Sequence, residues 1–434
     1  MHDRDLYARI LGLVDPWEVR DVKLDLKAGE VRVAVAPKLH ATLLCPECQK
    51  PCPGYDSRER SWRHLDTCQF KTILVADVAR IECAEHGVKQ VHVPWAEPGA
   101  GFTALMEAVV IDWLRSLASI KAFAEQLRLS WDEVDGIMAR GVARGLLRRK
   151  RVRVRRLGVD ETSFQSRHEY VTIVTDLDGG CVLHVADDRK REALDGYFRS
   201  LTPAQLEAIE VVAMDMWGAF IASVSECVPD AKRKIAFDKF HVASHLGDAV
   251  DKVRRAEHKA LLSEGCDSMK GSRYLWLTNP DNLDEAGAGA LNALHQISVK
   301  TSKAWALKET AMCLWRFVQR GRAEREWLGW IRKALRTRLD PVKKVARMIQ
   351  KHLWGIVNAM ALKATNAASE SVNAKVQRIK RTACGFRSRE RFRNAILFHL
   401  GGLDLYPAAA SATHTTSRCL MRRQMNLNSS YGSN

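Results

Sequence analysis

The sequence predicts a multidomain protein of mixed class, α+β and α/β, and three observations predict it. Its 434 residues exceed what one compact core holds at roughly 100–200 residues per domain. The hydrophobic period changes along the chain from two residues to about 3.6, back to short apolar strands, and then to helix again. Five cysteines, Cys45, Cys48, Cys52, Cys68 and Cys83, crowd the first fifth and set a small module apart. Apolar residues at 46% and charged residues at 27% are ordinary globular usage and supply ample core. A formal charge of +17, from 68 Lys+Arg against 51 Asp+Glu, draws the chain toward polyanions through phosphate neutralisation and counterion release. No apolar stretch approaches a membrane span of about 18 residues and no signal-peptide pattern is present. Nucleic acid therefore outranks a membrane surface as partner, and the expected location is the cytoplasm. The odd cysteine count of eleven argues for reduced thiols with one local metal site rather than a disulfide scaffold.

Residues 1–100 form the β-rich module. Alternating runs at 19–26 and 31–36 flank Ala28-Gly29 as a hairpin. Cys45-Pro46-Glu47-Cys48 and Cys83-Ala84-Glu85-His86 each place two soft ligands at the spacing tetrahedral zinc needs. The expected Zn²⁺ ligands are Cys45, Cys48, Cys83 and His86, with Cys52 and Cys68 near enough to substitute; buried free thiols are the competing reading. Residues 101–147 turn helical, with an apolar stripe through Met106, Val109, Val110, Trp113 and Leu114 and a second through Ile120, Phe123, Ala124 and Leu127. Ser130 and Glu133 make a capping box ahead of a new helix, so 120–144 predicts a helix-turn-helix with its second helix, from Trp131 past Arg140, directed at base edges. The run 148–156 has seven basic residues in nine, Arg148, Arg149, Lys150, Arg151, Arg153, Arg155 and Arg156. It reads as a linker that contacts phosphates, because such a block repels itself unless anions neutralise it.

From residue 157 short strands dominate. One ends at Asp160, a hairpin turns through Asp176-Leu177-Asp178-Gly179-Gly180, another strand ends at Asp215, and a fifth precedes Asp238. A helical stretch rich in tryptophan follows, and its Trp spacing favours core packing over base stacking. The tail 406–434 lacks a periodic apolar face and is expected to be disordered. A strand-end Asp is usually a turn former, and Asp176 and Asp178 are set aside as hairpin chemistry. Asp160 and Asp215 differ, because each closes an apolar strand that can aim it into a shared cleft. Glu370 joins them from a polar row, Asn366, Glu370, Asn373 and Gln377, spaced by three or four along one helix face. Three convergent carboxylates suit two Mg²⁺ or Mn²⁺ ions, since hard cations take oxygen ligands.

These residues carry a resemblance. Gly158-Val159-Asp160-Glu161, Met214-Asp215-Met216-Trp217 with Phe220, and the stretch from Asn366 to Arg393 with Lys380-Arg381-Thr382-Ala383-Cys384-Gly385-Phe386 resemble the bacterial insertion-sequence DDE transposases of the ISL3 family. The family often has Gly where Ser371 follows the Glu, and an aromatic residue at Cys384. The resemblance implies a zinc-binding N-terminus, a helix-turn-helix at 101–147, and a ribonuclease-H-like mixed sheet over 157–245 and 362–405, interrupted by an all-α insertion at 246–361. It makes Asp160, Asp215 and Glu370 catalytic and places Asp160 and Asp215 on adjacent strands. Asp238-Lys239-Phe240-His241 resembles a signature found between the second and third acids of several DDE superfamilies, so Asp238 and His241 become support candidates with Asn366 and Asn373. Arg378, Lys380 and Arg381 join the DNA-contact candidates. The implied activity is metal-dependent strand cleavage and transfer at the terminal inverted repeats of its own element, in a dimer or larger assembly on DNA, with the protein nucleoid-associated when bound. The alternatives are a DNA-binding regulator that no longer cuts and a nuclease without strand transfer.

Overall fold

The structure, a computed structural model, describes residues 3–116, 120–150, 153–165, 169–364 and 367–408. It divides into two units, Met1–Arg149 with Leu403–Asn434, and Lys150–Gly402.

In the first unit α1 (Asp3–Ile10) precedes β1 (Trp17–Asp25), β2 (Glu30–Pro37), β3 (Gly54–Thr67), β4 (Phe70–Cys83) and β5 (Gly87–Gln90). The strands lie in the order β1-β2-β4-β3, with β5 paired to the end of β4. Two-residue alternation decides the core face: Val31, Val33 and Val35 of β2 and Leu74, Ala76 and Val78 of β4 are buried. Trp17 and Trp62 meet Trp95 edge-on, at centroid distances of 4.8 and 5.4 Å. The predicted hairpin is β1–β2, antiparallel as expected.

Helices α2 (Ala104–Arg115), α3 (Ile120–Leu127) and α4 (Trp131–Arg148) follow. The Ser130–Glu133 capping box starts α4. Glu107 of α2 is 1% exposed and survives there because Arg140 and Arg144 of α4 hydrogen-bond its two carboxylate oxygens; a buried charge needs such partners. The chain returns to α4 at residues 403–407. Gly145 leaves room for this segment, since a Cβ there would sit 2.6 Å from Leu403 Cβ. Arg144 donates to the Leu405 carbonyl, Arg148 to the Tyr406 carbonyl at 2.6 Å, and the Tyr406 hydroxyl to Asp112. Tyr406 and Pro407 are buried. Composition had assigned both to a loose tail, but the segment is short and its contacts are far away in sequence. The rest of the tail, 409–434, lies outside the described residues.

The second unit contains β6 (Arg156–Gln165), β7 (Glu169–Asp176), β8 (Cys181–Ala186), α5 (Arg191–Arg199), α6 (Pro203–Glu207), β9 (Val211–Met214), α7 (Gly218–Cys227), α8 (Ala231–Lys234) and β10 (Ile235–Phe237). Then come α9 (Lys239–Ser263), α10 (Arg273–Leu277), α11 (Glu285–Ile297), α12 (Val299–Leu314), α13 (Arg320–Leu335), α14 (Asp340–Ala361), α15 (Ala367–Thr382) and α16 (Arg389–Leu400). The sheet is mixed, in the order β10-β9-β6-β7-β8. β6–β7 and β7–β8 are antiparallel, and β6–β9 and β9–β10 are parallel. At the β7–β8 turn, Asp176 Oδ1 accepts the Asp178 N–H at 3.0 Å, the hairpin role expected of these two aspartates.

Helices α9 to α14 share one apolar core with the sheet. Phe237 of β10 lies 5.1 Å from the Trp354 ring, and Asn358 of α14 donates to the Ile235 carbonyl at 2.8 Å. Trp276, Trp327 and Trp330 are almost fully buried, so packing is their role. Among the described residues no helix is long and apolar enough to cross a membrane.

Candidate active site and metal centre

Three aspartates stand level across adjacent parallel strands. β9 and β10 stop just before Asp215 and Asp238, whereas β6 runs on through Asp160 to Gln165 because its second half pairs with β7. This corrects the expectation of a strand ending at Asp160. Val159 pairs with Met214, and Met214 with Phe237, so Asp160 is the next residue on β6, and Asp215 and Asp238 are the residues that follow β9 and β10. The parallel register, rather than any one residue, creates the row.

Asp160 is held from two sides. Its Oδ1 accepts the Glu161 N–H at 2.8 Å and its Oδ2 accepts the Asn373 side-chain amide at 2.6 Å. Burial raises its pKa to about 6; Asp238 and Asp215 add to the rise, while the Glu161 N–H and His241 oppose it. Asp215 Oδ1 accepts the Met216 N–H at 2.6 Å. His241, in the first turn of α9, reaches both remaining acids, with Nδ1 3.7 Å from Asp215 Oδ1 and Nε2 4.0 Å from Asp238 Oδ2. Asp238 also caps α9 through the Phe240 N–H at 3.1 Å. Burial pushes the Glu161 carboxyl up as well, and its Oε2 is buried without a hydrogen bond.

The polar row of α15 faces β6. Asn373 meets Asp160, Gln377 donates to Thr162 Oγ1 at 2.8 Å, and Lys380 donates to the Ser163 carbonyl at 2.9 Å. Glu370 lies one turn before Asn373 on this helix and is exposed. No hydrogen bond among the described residues ties it to the aspartates. Asn366 lies outside the described residues.

Cys45, Cys48, Cys83 and His86 bring four ligand atoms within 4.8 Å of one another, the one such group of His, Cys, Asp and Glu among the described residues. Cys48 Sγ is 3.8 Å from Cys83 Sγ, and His86 Nδ1 is 3.5 Å from Cys83 Sγ and 3.7 Å from Cys45 Sγ. Ligands about 2.3 Å from a tetrahedral zinc stand about 3.8 Å apart, so spacing and chemistry both fit that ion. The Cys83 thiol is lowered to about 6, chiefly by its hydrogen bond with His86. Cys52, weighed as a substitute, is outside the four.

Several expected DNA contacts are already engaged. Arg140 turns inward to Glu107, Arg148 binds the returning segment, Arg155 pairs with Glu210 at 2.5 Å, and Arg156 donates to the Lys363 carbonyl at 3.1 Å. Lys380 is spent on β6. These partners lie far away in sequence, so a local charge count could not reveal them. Lys150, Arg153, Arg378 and Arg381 are exposed and Arg149 and Trp131 half-buried, while Arg151 lies outside the described residues. The first turn of α4 carries Asp132 and Glu133, which suit the helix dipole and repel phosphate.

A sheet of this order with acids level across its parallel strands sits in a region, 157–396, that matches a family model described as a transposase. Residues 91–142 match the helix-turn-helix domain of transposase family ISL3, and residues 42–86 match the zinc-finger of transposase IS204/IS1001/IS1096/IS1165. The transposase model spans more than half the chain, and the chain belongs to the ISL3 family of transposases. It is 28% identical over 433 residues to the transposase for insertion sequence element IS1557 of Mycobacterium tuberculosis, covering 93% of this chain and 96% of the relative. It is 25% identical over 355 residues to the transposase for insertion sequence element IS1001 of Bordetella parapertussis, covering 81% and 87%.

Proposed function

We propose that the chain cuts the terminal inverted repeats of its own insertion sequence and joins the freed 3′ hydroxyls to target DNA, with Asp160, Asp215 and Glu370 as the metal-binding acids. The observation that carries this reading is the register of the parallel strands β6 and β9, which sets Asp160 beside Asp215. The donor set fits hard cations: the carboxylates are oxygen ligands, and their mutual repulsion and burial, visible in the raised Asp160, are relieved by positive charge. Two Mg²⁺ or Mn²⁺ ions bound there would supply Lewis-acid activation of the attacking oxygen and neutralise the leaving one. Asn373 fixes the Asp160 carboxylate, and His241 with Asp238 borders Asp215 from the next strand. Glu370 is read as the third acid because it lies one turn before Asn373 on α15, the helix whose Asn373 and Gln377 meet β6. The four-residue Cys/His cluster would hold one structural Zn²⁺. The family places the protein on DNA, and we extend this to a dimer or higher assembly acting in the cytoplasm on the nucleoid.

Labelled element ends incubated with protein and Mg²⁺ should yield nicks and then joined products. Asp160→Asn, Asp215→Asn and Glu370→Gln should each reduce cleavage by 10³-fold or more, on the order of 4 kcal/mol in barrier, while end binding stays within a few-fold. Binding without cleavage by the unaltered protein would favour the regulator reading; nicks without joining would favour the nuclease.

A further inference from the structure

The helical segment between β10 and α15 does more than bury tryptophans. A cavity of about 590 Å³ opens where α9, α12 and the α13–α14 turn meet. Lys252 comes from α9, Lys300 and Lys303 from the start of α12, and Arg336 and Arg338 from the turn before α14. All five are exposed, and among the described residues none of their side chains has an acidic partner. The two acids of the rim are engaged elsewhere. Glu257 accepts the Lys300 and Thr301 N–H groups at 2.9 and 2.7 Å, and Asp340 holds Lys343 at 3.1 Å. The apolar floor is made by Val253 and Leu339, both buried.

Exposed lysines on one helix are usually a solvated face. Here cations from three separate elements converge on one concavity, where like charges raise each other's energy until an anion enters. Elsewhere in this protein the arginines of the basic run, Arg148, Arg155 and Arg156, have internal partners. A small anion would be better served by a buried cation or by free helix N–H groups, and Glu257 has taken those of α12. A wide, open rim of flexible cations suits a passing sugar–phosphate backbone.

We propose that this cavity is a DNA-backbone site, separate from the helix-turn-helix and from the carboxylate row, that seats consecutive phosphates without reading sequence. It rests on the reading of the chain as a protein that acts on DNA. The test uses the full-length protein with two labelled duplexes, the element's own end and a random sequence, with affinity measured by anisotropy across a KCl series without divalent metal. Each lost phosphate contact removes about 0.9 from the slope of log affinity against log salt. Lys300→Gln with Lys303→Gln should lower the slope by about 1.8, and adding Arg336→Gln and Arg338→Gln should lower it by about 3.6 in total. Both duplexes should weaken alike, so that their ratio is preserved. Lys300→Arg with Lys303→Arg should keep the parent slope, which separates charge from folding. An unchanged slope in the fourfold variant overturns the proposal. So does calorimetric binding of pyrophosphate that the fourfold variant loses while its DNA slope stays at the parent value, because the site would then serve a small anion. Cleavage assays of the unaltered protein run alongside. Failure to cut with a shifted slope would count against the enzymatic reading alone, and normal cutting with an unmoved slope would count against this site alone.

Discussion

His64 is 2% exposed, its Nδ1 2.8 Å from the Thr103 hydroxyl, where the side chain also caps α2. Burial, with neighbouring Arg63, lowers its pKa from 6.5 to about 4. The unfolded chain takes up this proton as pH falls through the ordinary value, while the folded chain resists until about 4. Stability from the neutral ring is therefore complete above pH 6.5 and is lost as pH falls from there through 4, with a magnitude of about 3 kcal/mol. In His64→Gln the acid-side decline of the first unit should flatten by about that amount, read as urea midpoints at stepped pH with parent and variant side by side. An identical decline in both would show that other groups govern it. Asp160 is another residue whose environment shows only in three dimensions. Its apolar run and abrupt acid are plain in sequence, but its amide partner Asn373 is 213 positions away.

At the scale of elements, the strand exits before Asp215 and Asp238 were legible because an apolar run that stops at a carboxylate marks both a buried strand and its exit. The same pattern misplaced the end of β6, which runs past Asp160 to Gln165 through its pairing with β7. The polar row on α15 was legible through its spacing, and Asn373 and Gln377 do face β6. The inward turn of Arg140 was not, since helical spacing places it on a face without saying that a buried Glu107 waits opposite. Nor was the join between β10 and α14. A Cβ on Gly355 would lie 2.4 Å from the Phe237 ring, one residue before Asp238. Gly355→Ala should therefore cost about 1–3 kcal/mol through overpacking and depress cleavage, while DNA binding by the other unit holds. Thermal unfolding and paired cleavage and binding assays check both halves. The Cys/His cluster makes a different demand on its element. Metal binding in finger modules supplies on the order of 10 kcal/mol of folding free energy, so Cys45→Ala, or strong chelation, should unfold the β-rich sheet rather than loosen it. Metal analysis should return one zinc per chain, and loss of near-ultraviolet signal from the Trp17–Trp62–Trp95 group should follow its removal.

Across the whole molecule, the strand-helix-strand-helix succession was readable because each change of period spans many residues. The membership of 403–407 in the first unit was not, because five residues carry no period and their partners on α2 and α4 lie more than 250 positions upstream. A bulkier residue at 145 tests the attachment. Gly145→Leu would intrude on Leu403 and should destabilise the helix-turn-helix by about 1–3 kcal/mol, weakening end binding several-fold while the acids remain intact. Proteolysis after residue 402, quickened in the variant and not in the parent, would locate the damage.

The same return of the chain sets an order of events on the ribosome. The N-terminal sheet and α2 to α4 emerge first, but the cover for α4 is encoded beyond the whole of Lys150–Gly402. At about 5–20 residues per second, α4 waits on the order of ten seconds to a minute for the segment that carries Leu405 and Tyr406. A nascent or prematurely ended chain presents its helix-turn-helix without that cover. The helix-turn-helix therefore gains its last core contacts only once Lys150–Gly402 has been made, and a prematurely ended copy lacks them.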